Sequence, residues 1–316
     1  MTDLFLGYQN KISAQQLQQF QQGLIEGNFS NSIGKRINYC YYPLANAKAT
    51  VVISSGRVEG YLKYLEVIYD FHQQGYQVFA IDHLGQGLSE RLLADSHKGH
   101  INDFNQFTDD FSLWLNKIVQ PKCQGTLLLL GHSMGGAIAI DYMLKYPQDF
   151  AAAALCAPML GIKLPAPKAL VKLLLAVLLK LGLKNKYILG GGKYDPEPFA
   201  GNELTGDAKR YQWFRELYLE HPNMQLGSPT NGWLDQAFKA CSNNLSAASQ
   251  LSVPTLIIQA GADNIVDNYS QNRFTCHAPH CQLLKIDNAK HELLLESDSI
   301  RNPTLEAIFR EFQKYC

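Results

Sequence analysis

The sequence predicts an α/β architecture, a mostly parallel central sheet covered by helices on both faces and broken once by a helical insertion. Three observations carry this prediction. Short apolar runs alternate with helix-prone segments from about residue 50 onward. The rhythm stops between Pro158 and Trp233, where helical and Gly/Pro-rich pieces accumulate without a convincing strand. At one strand-to-helix junction stand Gly131, His132, Ser133, Met134 and Gly135, the pattern of a sharp turn that exposes a nucleophile.

In chain order, residues 13–22 are glutamine-rich with Ser13 as a cap, and read as a polar surface helix ahead of the domain. Two antiparallel strands follow near 28–33 and 36–42, then strands at 50–54, 77–82, 126–130, 151–156, 255–260 and 282–286. Helices are expected at 60–74, 104–119, 137–145, 234–245, 268–274 and 303–314. This divides the chain into 1–157, the first part of the core, 158–233, a cap, and 234–316, the rest of the core. In an open parallel sheet the active site lies at the carboxyl ends of the strands, so an insertion from that edge roofs it and selects substrate.

Bulk composition narrows the functional classes. With 316 residues and 46% hydrophobic content, the chain can bury one large core. Lys plus Arg equals Asp plus Glu at 28 each, so no global field favours nucleic acid, and no nucleic-acid partner is expected. Seven scattered cysteines with no Cys-x-x-Cys pair fit a reducing compartment. Residues 1–10 carry no basic stretch before an apolar core, so a cytoplasmic protein is expected. No apolar run reaches the ~18–20 residues of a membrane span. The segment 168–184 is amphipathic, with lysines at 168, 172, 180 and 184. It reads first as a lid helix packed on the core, and second as a peripheral contact with the inner face of the membrane.

A serine hydroxyl needs a histidine to take its proton and a carboxylate to orient that histidine. His291, just beyond the last expected strand, is the base, and the order serine, acid, histidine is the one expected with this turn. Asp263 follows strand 255–260 through Gly261 and Ala262, which puts it at the same edge as Ser133. Its rival Asp267 reads as a helix cap, and Asp287 as pointing away along its strand end. The oxyanion needs two amides, those of Met134 and of Arg57 in the loop Ser54-Ser55-Gly56-Arg57. The Arg57 side chain is expected to brace that loop by pairing with Glu59, in preference to binding phosphate.

With these residues in place, the chain resembles the α/β-hydrolase fold and, within it, the group of monoacylglycerol lipases and bacterial lysophospholipases of the L-two type, broadly labelled serine aminopeptidase-like. The likeness is carried by Gly56 to Tyr64, by Asp82-His83-Leu84-Gly85-Gln86-Gly87-Leu88-Ser89, by Arg91 to Asp95, Gly99-His100 and Gly131 to Gly136. It continues through Ala157-Pro158-Met159, Gly227 to Trp233, Val266-Asp267-Asn268 and His291-Glu292. Leu84 stands where the group usually has arginine, and Ser54-Ser55 where it has His or Pro. The resemblance implies cleavage of the acyl ester of a lysophospholipid to a fatty acid and a glycerophosphodiester through an acyl-serine, without metal or organic cofactor. Its partner is a lysophospholipid or other single-acyl lipid. A monoacylglycerol lipase or general carboxylesterase is the alternative, then a serine aminopeptidase, and from a different class a non-catalytic binding protein on the same fold.

Lys193, Lys209, Arg210 and Arg215 are weak pointers to a phosphate, and Asp195, Glu197, Glu203 and Glu216 to a substrate ammonium. Tyr211, Trp213 and Trp233 read as cap packing. Cys276, His277, His280 and Cys281 are too crowded around Pro279 for one tetrahedral ion, and no metal is assigned.

Overall fold

The computed structural model describes residues 5–316; residues 1–4, part of the stretch read for a secretory signal, lie outside the described residues. The elements in order are β1 (Phe5–Leu6), β2 (Ile12–Ser13), α1 (Ala14–Gln21), β3 (Ile25–Ser30), β4 (Arg36–Tyr42), β5 (Ala49–Ser54), α2 (Leu65–Gln73), β6 (Tyr76–Ile81), α3 (Asn105–Trp114), β7 (Thr126–His132), α4 (Met134–Lys145), β8 (Ala152–Cys156), α5 (Lys168–Lys180), α6 (Ala208–Glu220), α7 (Asn231–Ser246), β9 (Thr255–Ala260), α8 (Asn268–His277), β10 (Cys281–Ile286) and α9 (Asp298–Phe312).

Eight strands form one sheet in the order β10-β9-β8-β7-β5-β6-β4-β3. β3 pairs antiparallel with β4 and β4 with β6, and β5 through β10 are parallel to one another. The central strands β5, β6, β8 and β9 are buried along their whole length, as continuous apolar runs covered on both faces require. From β5 the chain steps to β6 on one side and then crosses to β7 on the other. The carboxyl ends of β5 and β7 therefore flank the point where strand order reverses, the place where such sheets bind ligands. Register aligns the two ends: Ser54 pairs with Gly131.

The expected elements occur, with instructive shifts. The first sheet strand starts at Ile25, three residues earlier than expected, since Gly34 at φ 75° closes the turn to β4. β7 runs through His132, because pairing with β8 continues to Cys156. The helix expected at 104–119 widens into a π-turn from Leu115 to Val119. α9 begins at Asp298, so Pro303 lies inside the helix; Arg301, fully buried against Asp70 (2.6 Å), anchors the turn ahead of it. The β1–β2 pair and α6 were not expected. Strands of two residues carry no periodicity, and α6 was masked by its charged composition although Asp207 caps it, accepting from the amides of Lys209 and Arg210.

α1 carries the expected Ser13 cap, reciprocated by Gln16, but does not merely float on the surface. Leu6, Ile12 and Leu17 form a small core with Leu65 and Tyr69 of α2. Between residues 158 and 230 the described chain adds no strand to the sheet. Within it, α5 departs from the packed-lid expectation. Leu175 meets Leu234 and Phe238 of α7, while Leu170, Leu173, Leu174 and Val177 are exposed, Leu173 by 65%.

Candidate active site

Ser133 follows β7 at φ 51° and ψ −118°, backbone space that non-glycine residues rarely occupy. Its surroundings impose this. The Ser133 amide donates to the carbonyl of Cys156, and its carbonyl accepts from the amides of Ala137 and Met159. The flanking glycines allow strand, loop and helix to touch. A Cβ on Gly135 would stand 2.1 Å from the carbonyl oxygen of Ser54, and one on Gly131 2.9 Å from Leu155 Cδ2.

His291, in the turn after β10, places Nε2 2.9 Å from Ser133 Oγ and Nδ1 2.8 Å from Asp263 Oδ2. All three residues are buried, Ser133 at 7%, His291 at 4% and Asp263 at 1% exposure. The other carboxylate oxygen of Asp263 accepts from the amides of Ile265 (2.7 Å) and Val266 (3.1 Å). Burial pushes the Asp263 carboxyl up, but the hydrogen bond and charge of His291 and these two amides outweigh it, leaving the acid below its ordinary value. A carboxylate at Nδ1 keeps the proton there and turns the Nε2 lone pair toward the serine hydroxyl. The rivals lie elsewhere. Asp267 caps α8, accepting from the amides of Tyr269 (3.1 Å) and Ser270 (3.2 Å). Asp287 pairs with Lys285 at 2.8 Å, largely exposed.

The loop after β5 lies against this turn. Ser54 Oγ donates to the carbonyl of Gly135 (3.0 Å) and meets His83 Nε2 (2.9 Å), while Gln86 Nε2 donates to the carbonyls of Gly56 (2.6 Å) and Glu59 (3.1 Å). The serines at 54 and 55 thus hold the loop by hydroxyl contacts. Met134 opens α4, so its amide has no intrahelical acceptor. The amide of Arg57 donates to no acceptor among the described residues.

The Arg57 side chain corrects an expectation: it does not pair with Glu59. Nη2 donates to the carbonyl of Gly227, and the guanidinium lies 5.2 Å over the Trp233 ring. Glu59 instead joins a buried polar network beneath His291 that sequence reasoning missed. It accepts from the Gly56 amide, the Tyr64 hydroxyl (2.6 Å) and Lys63 Nζ (3.3 Å), and meets His132 Nδ1 at 3.2 Å. Lys63 Nζ also binds Glu292 (2.6 Å), and His132 Nε2 donates to the backbone carbonyl of His291 (3.1 Å). Burial would raise the Glu59 carboxyl, yet His132 and Lys63 hold it well below the usual range. Burial would lower His132, yet Glu59 raises it above its ordinary value, as expected for a ring with an acceptor at each nitrogen. The available sequence signal was His132 itself, a polar ring at the end of an apolar strand that needs buried partners.

Other expectations are also corrected. Arg210, read as a weak phosphate pointer, is engaged by Glu66 (2.8 Å) and Asp298 (2.8 Å), and Arg215 donates to the Tyr211 hydroxyl (2.7 Å). Asp195, Glu197, Glu203 and Glu216 are all exposed, so none is the buried carboxylate an ammonium clamp needs. Tyr211 and Trp233 are buried packing residues, as expected, and Trp213 is partly buried. Among the described residues, no group of three or more His, Cys, Asp or Glu side chains is arranged to hold a metal ion, the cysteine–histidine stretch at 276–281 included.

The chain has relatives among known proteins. The chain is 36% identical over 279 residues to lysophospholipase L2 of Escherichia coli, covering 84% of this chain and 80% of that protein. It is 33% identical over 266 residues to a probable lysophospholipase L2 of Haemophilus influenzae, covering 84% of each. The solved structure of a soluble variant of monoglyceride lipase from Saccharomyces cerevisiae, in complex with a substrate analog, superposes with a TM-score of 0.73 at 18% identity, over 93% of this chain and 97% of that one, which is a likeness of fold. The family described as serine aminopeptidase, S33 matches residues 45–298, a span holding Ser133, Asp263, His291 and the loop after β5, and the chain belongs to that family, on an α/β-hydrolase fold.

Proposed function

We propose that the protein is a serine hydrolase that cleaves the acyl ester of lysophospholipids, releasing a fatty acid and a glycerophosphodiester. The observation that carries the reading is the hydrogen-bonded chain from Ser133 Oγ through His291 to Asp263, with the serine on a strained turn at the head of a helix. Identity to lysophospholipase L2 over most of the chain supports the substrate class.

In this reading His291 Nε2 takes the Ser133 proton as Oγ attacks the ester carbonyl carbon. The amides of Met134 and Arg57 receive the oxyanion. Collapse breaks the bond to the glycerol oxygen, which leaves with the proton from His291. Water, deprotonated in turn by His291, attacks the acyl-serine, and the fatty acid departs as Ser133 regains its proton. Asp263 orients His291 and stabilises its imidazolium.

Residues 158–233 act as the cap. Supporting this, the Gly227 carbonyl meets Arg57, the Tyr218 hydroxyl donates to the carbonyl of Val58, and Lys163 Nζ reaches the carbonyl of Asp263, so the segment touches both loops that carry the site. Among the described residues no helix is long and apolar enough to cross a membrane. The exposed stripe Leu170, Leu173, Leu174, Val177 and Leu181, with Lys168, Lys172 and Lys180 also exposed, supports peripheral docking of α5 on an anionic bilayer, where the substrate resides.

The test is fatty-acid release from equal concentrations of a lysophospholipid, a monoacylglycerol and a short soluble ester, with Ser133→Ala as control. Ser133-dependent preference for the lysophospholipid is the expected result. Activity on the other two esters alone would sink the substrate assignment.

A further inference from the structure

Arg57 is a guanidinium held in place without a carboxylate beside it. Nη2 donates to the Gly227 carbonyl, the plane lies over Trp233, and Gly99 sits so close that a Cβ there would be 2.6 Å from Nη2. Among the described residues no acceptor meets Nε, and none is bonded to Nη1. Burial alone pulls the guanidinium pKa down to about 10, with no charged neighbour opposing it. Arg210 and Arg301 behave differently, each bonded to buried or half-buried carboxylates. A partly desolvated cation without counter-charge is costly to maintain. Nε is sealed, but Nη1, which has no partner among the described residues, is not among the buried atoms and the residue as a whole is partly exposed, so a ligand from solvent can reach that end.

Covalent geometry matches its reach to that of the substrate. The number of bonds from the ester carbonyl carbon of a 1-acyl lysophospholipid to its phosphorus equals the number from an arginine amide nitrogen to its Cζ. An ester whose oxygen sits at the Arg57 amide therefore carries its phosphate, through an extended glycerol, as far as the Arg57 side chain reaches. A guanidinium fork matches two phosphate oxygens at once.

We propose that Arg57 forms the headgroup-phosphate subsite, its guanidinium binding the phosphodiester while its own amide receives the ester oxygen. This rests on the lysophospholipase reading above and adds the residue that separates phosphate-bearing from neutral single-acyl substrates. The zwitterionic or neutral remainder of the headgroup extends beyond it.

The experiment compares kcat/KM for lysophosphatidylcholine and for a monoacylglycerol of the same chain length, in wild type, Arg57→Met and Arg57→Lys. The ratio of the two values is expected to fall by about 10- to 100-fold in Arg57→Met, the worth of a hydrogen-bonded charge, and by less in Arg57→Lys, which keeps the charge and loses the fork. Equal losses on both substrates overturn the proposal. A measurement on wild type guards against a variant that does not fold. There, sn-glycerol 3-phosphate is expected to inhibit monoacylglycerol hydrolysis competitively at concentrations where glycerol does not, and equal behaviour of the two overturns the subsite. Inhibition with an unchanged substrate ratio identifies a site for free phosphate and overturns the headgroup assignment. A wild type that cleaves monoacylglycerol but no lysophospholipid removes the lysophospholipase reading itself, before any variant is made.

Discussion

Replacing Glu59 by glutamine tests whether the buried network beneath His291 holds the site together. The carboxylate serves four donors: the Gly56 amide, the Tyr64 hydroxyl, Lys63 and His132. Glutamine keeps the shape but offers one acceptor oxygen and turns an amide toward two cations. Breaking a buried ion pair from one side costs about 3–5 kcal/mol. His132 recovers part of this by releasing its proton, so a loss of about 2–4 kcal/mol in urea unfolding near pH 7 is expected, a large share of ordinary domain stability. Gly56 is tied to Glu59 and adjoins Arg57, so the loop after β5 loosens as well. A displacement of about 1 Å lowers kcat by up to about 100-fold, with KM changing less. The sign of the pH response is specific. His132 is raised above its ordinary value, so its contribution is complete below about pH 6.5 and disappears as pH rises through the raised value. Glu59 is depressed, so its contribution is complete above about pH 4.3 and disappears as pH falls through the depressed value. As pH rises above about 6.5, wild type is expected to lose stability more steeply than Glu59→Gln. Unfolding curves and turnover indistinguishable from wild type at both ends of that range would refute the reasoning.

Three further outcomes are expected. Asp263→Asn, which reverses the donor–acceptor sense at His291 Nδ1, should lower kcat on every ester by about 10,000-fold with little change in KM, measured by steady-state kinetics. Gly135→Ala drives a Cβ to within 2.1 Å of a backbone carbonyl, so it should cost about 2–4 kcal/mol in denaturant unfolding together with most of the activity. Leu173→Asp, on the outward face of α5, should weaken sedimentation with vesicles rich in anionic lipid while hydrolysis of a short soluble ester persists; vesicle binding equal to wild type would remove α5 as the docking face.

What the sequence revealed and what it concealed follow from the distances over which residues act. Ser133 was legible because its turn is encoded by contiguous glycines between an apolar run and a helix. Asp263 and His291 were legible because each follows a recognisable strand by a few residues, and parallel strands deliver their carboxyl ends to one edge. The Glu59–His132 contact spans 73 residues and Lys63–Glu292 spans 229, and neither side has a local pattern that names its partner. Arg57 was assigned to Glu59 because two residues of opposite charge lay near each other. Val58 between them, at φ 65°, reverses the chain and sends the side chains to different neighbours. α5 shows the limit of periodicity: the spacing of its leucines identifies an apolar face but not whether anything covers it.

The order of synthesis gives the acid cluster on α2 a different meaning. Glu66 and Asp70 are buried early in the chain beside the β1–β2 hairpin, whose Gly7 and Tyr8 amides they accept. Their cationic partners come much later, Arg210 at a separation of 144 residues and Arg301 at 231. Until those arginines leave the ribosome, closing α2 over the sheet would seal two carboxylates in an apolar interior without counter-charge, which is strongly unfavourable. The emerging chain is thus discouraged from compacting around a half-built sheet. Final closure waits for the later segment that also carries His291, so the folded interior and the hydrogen-bonded chain Ser133–His291–Asp263 are completed together.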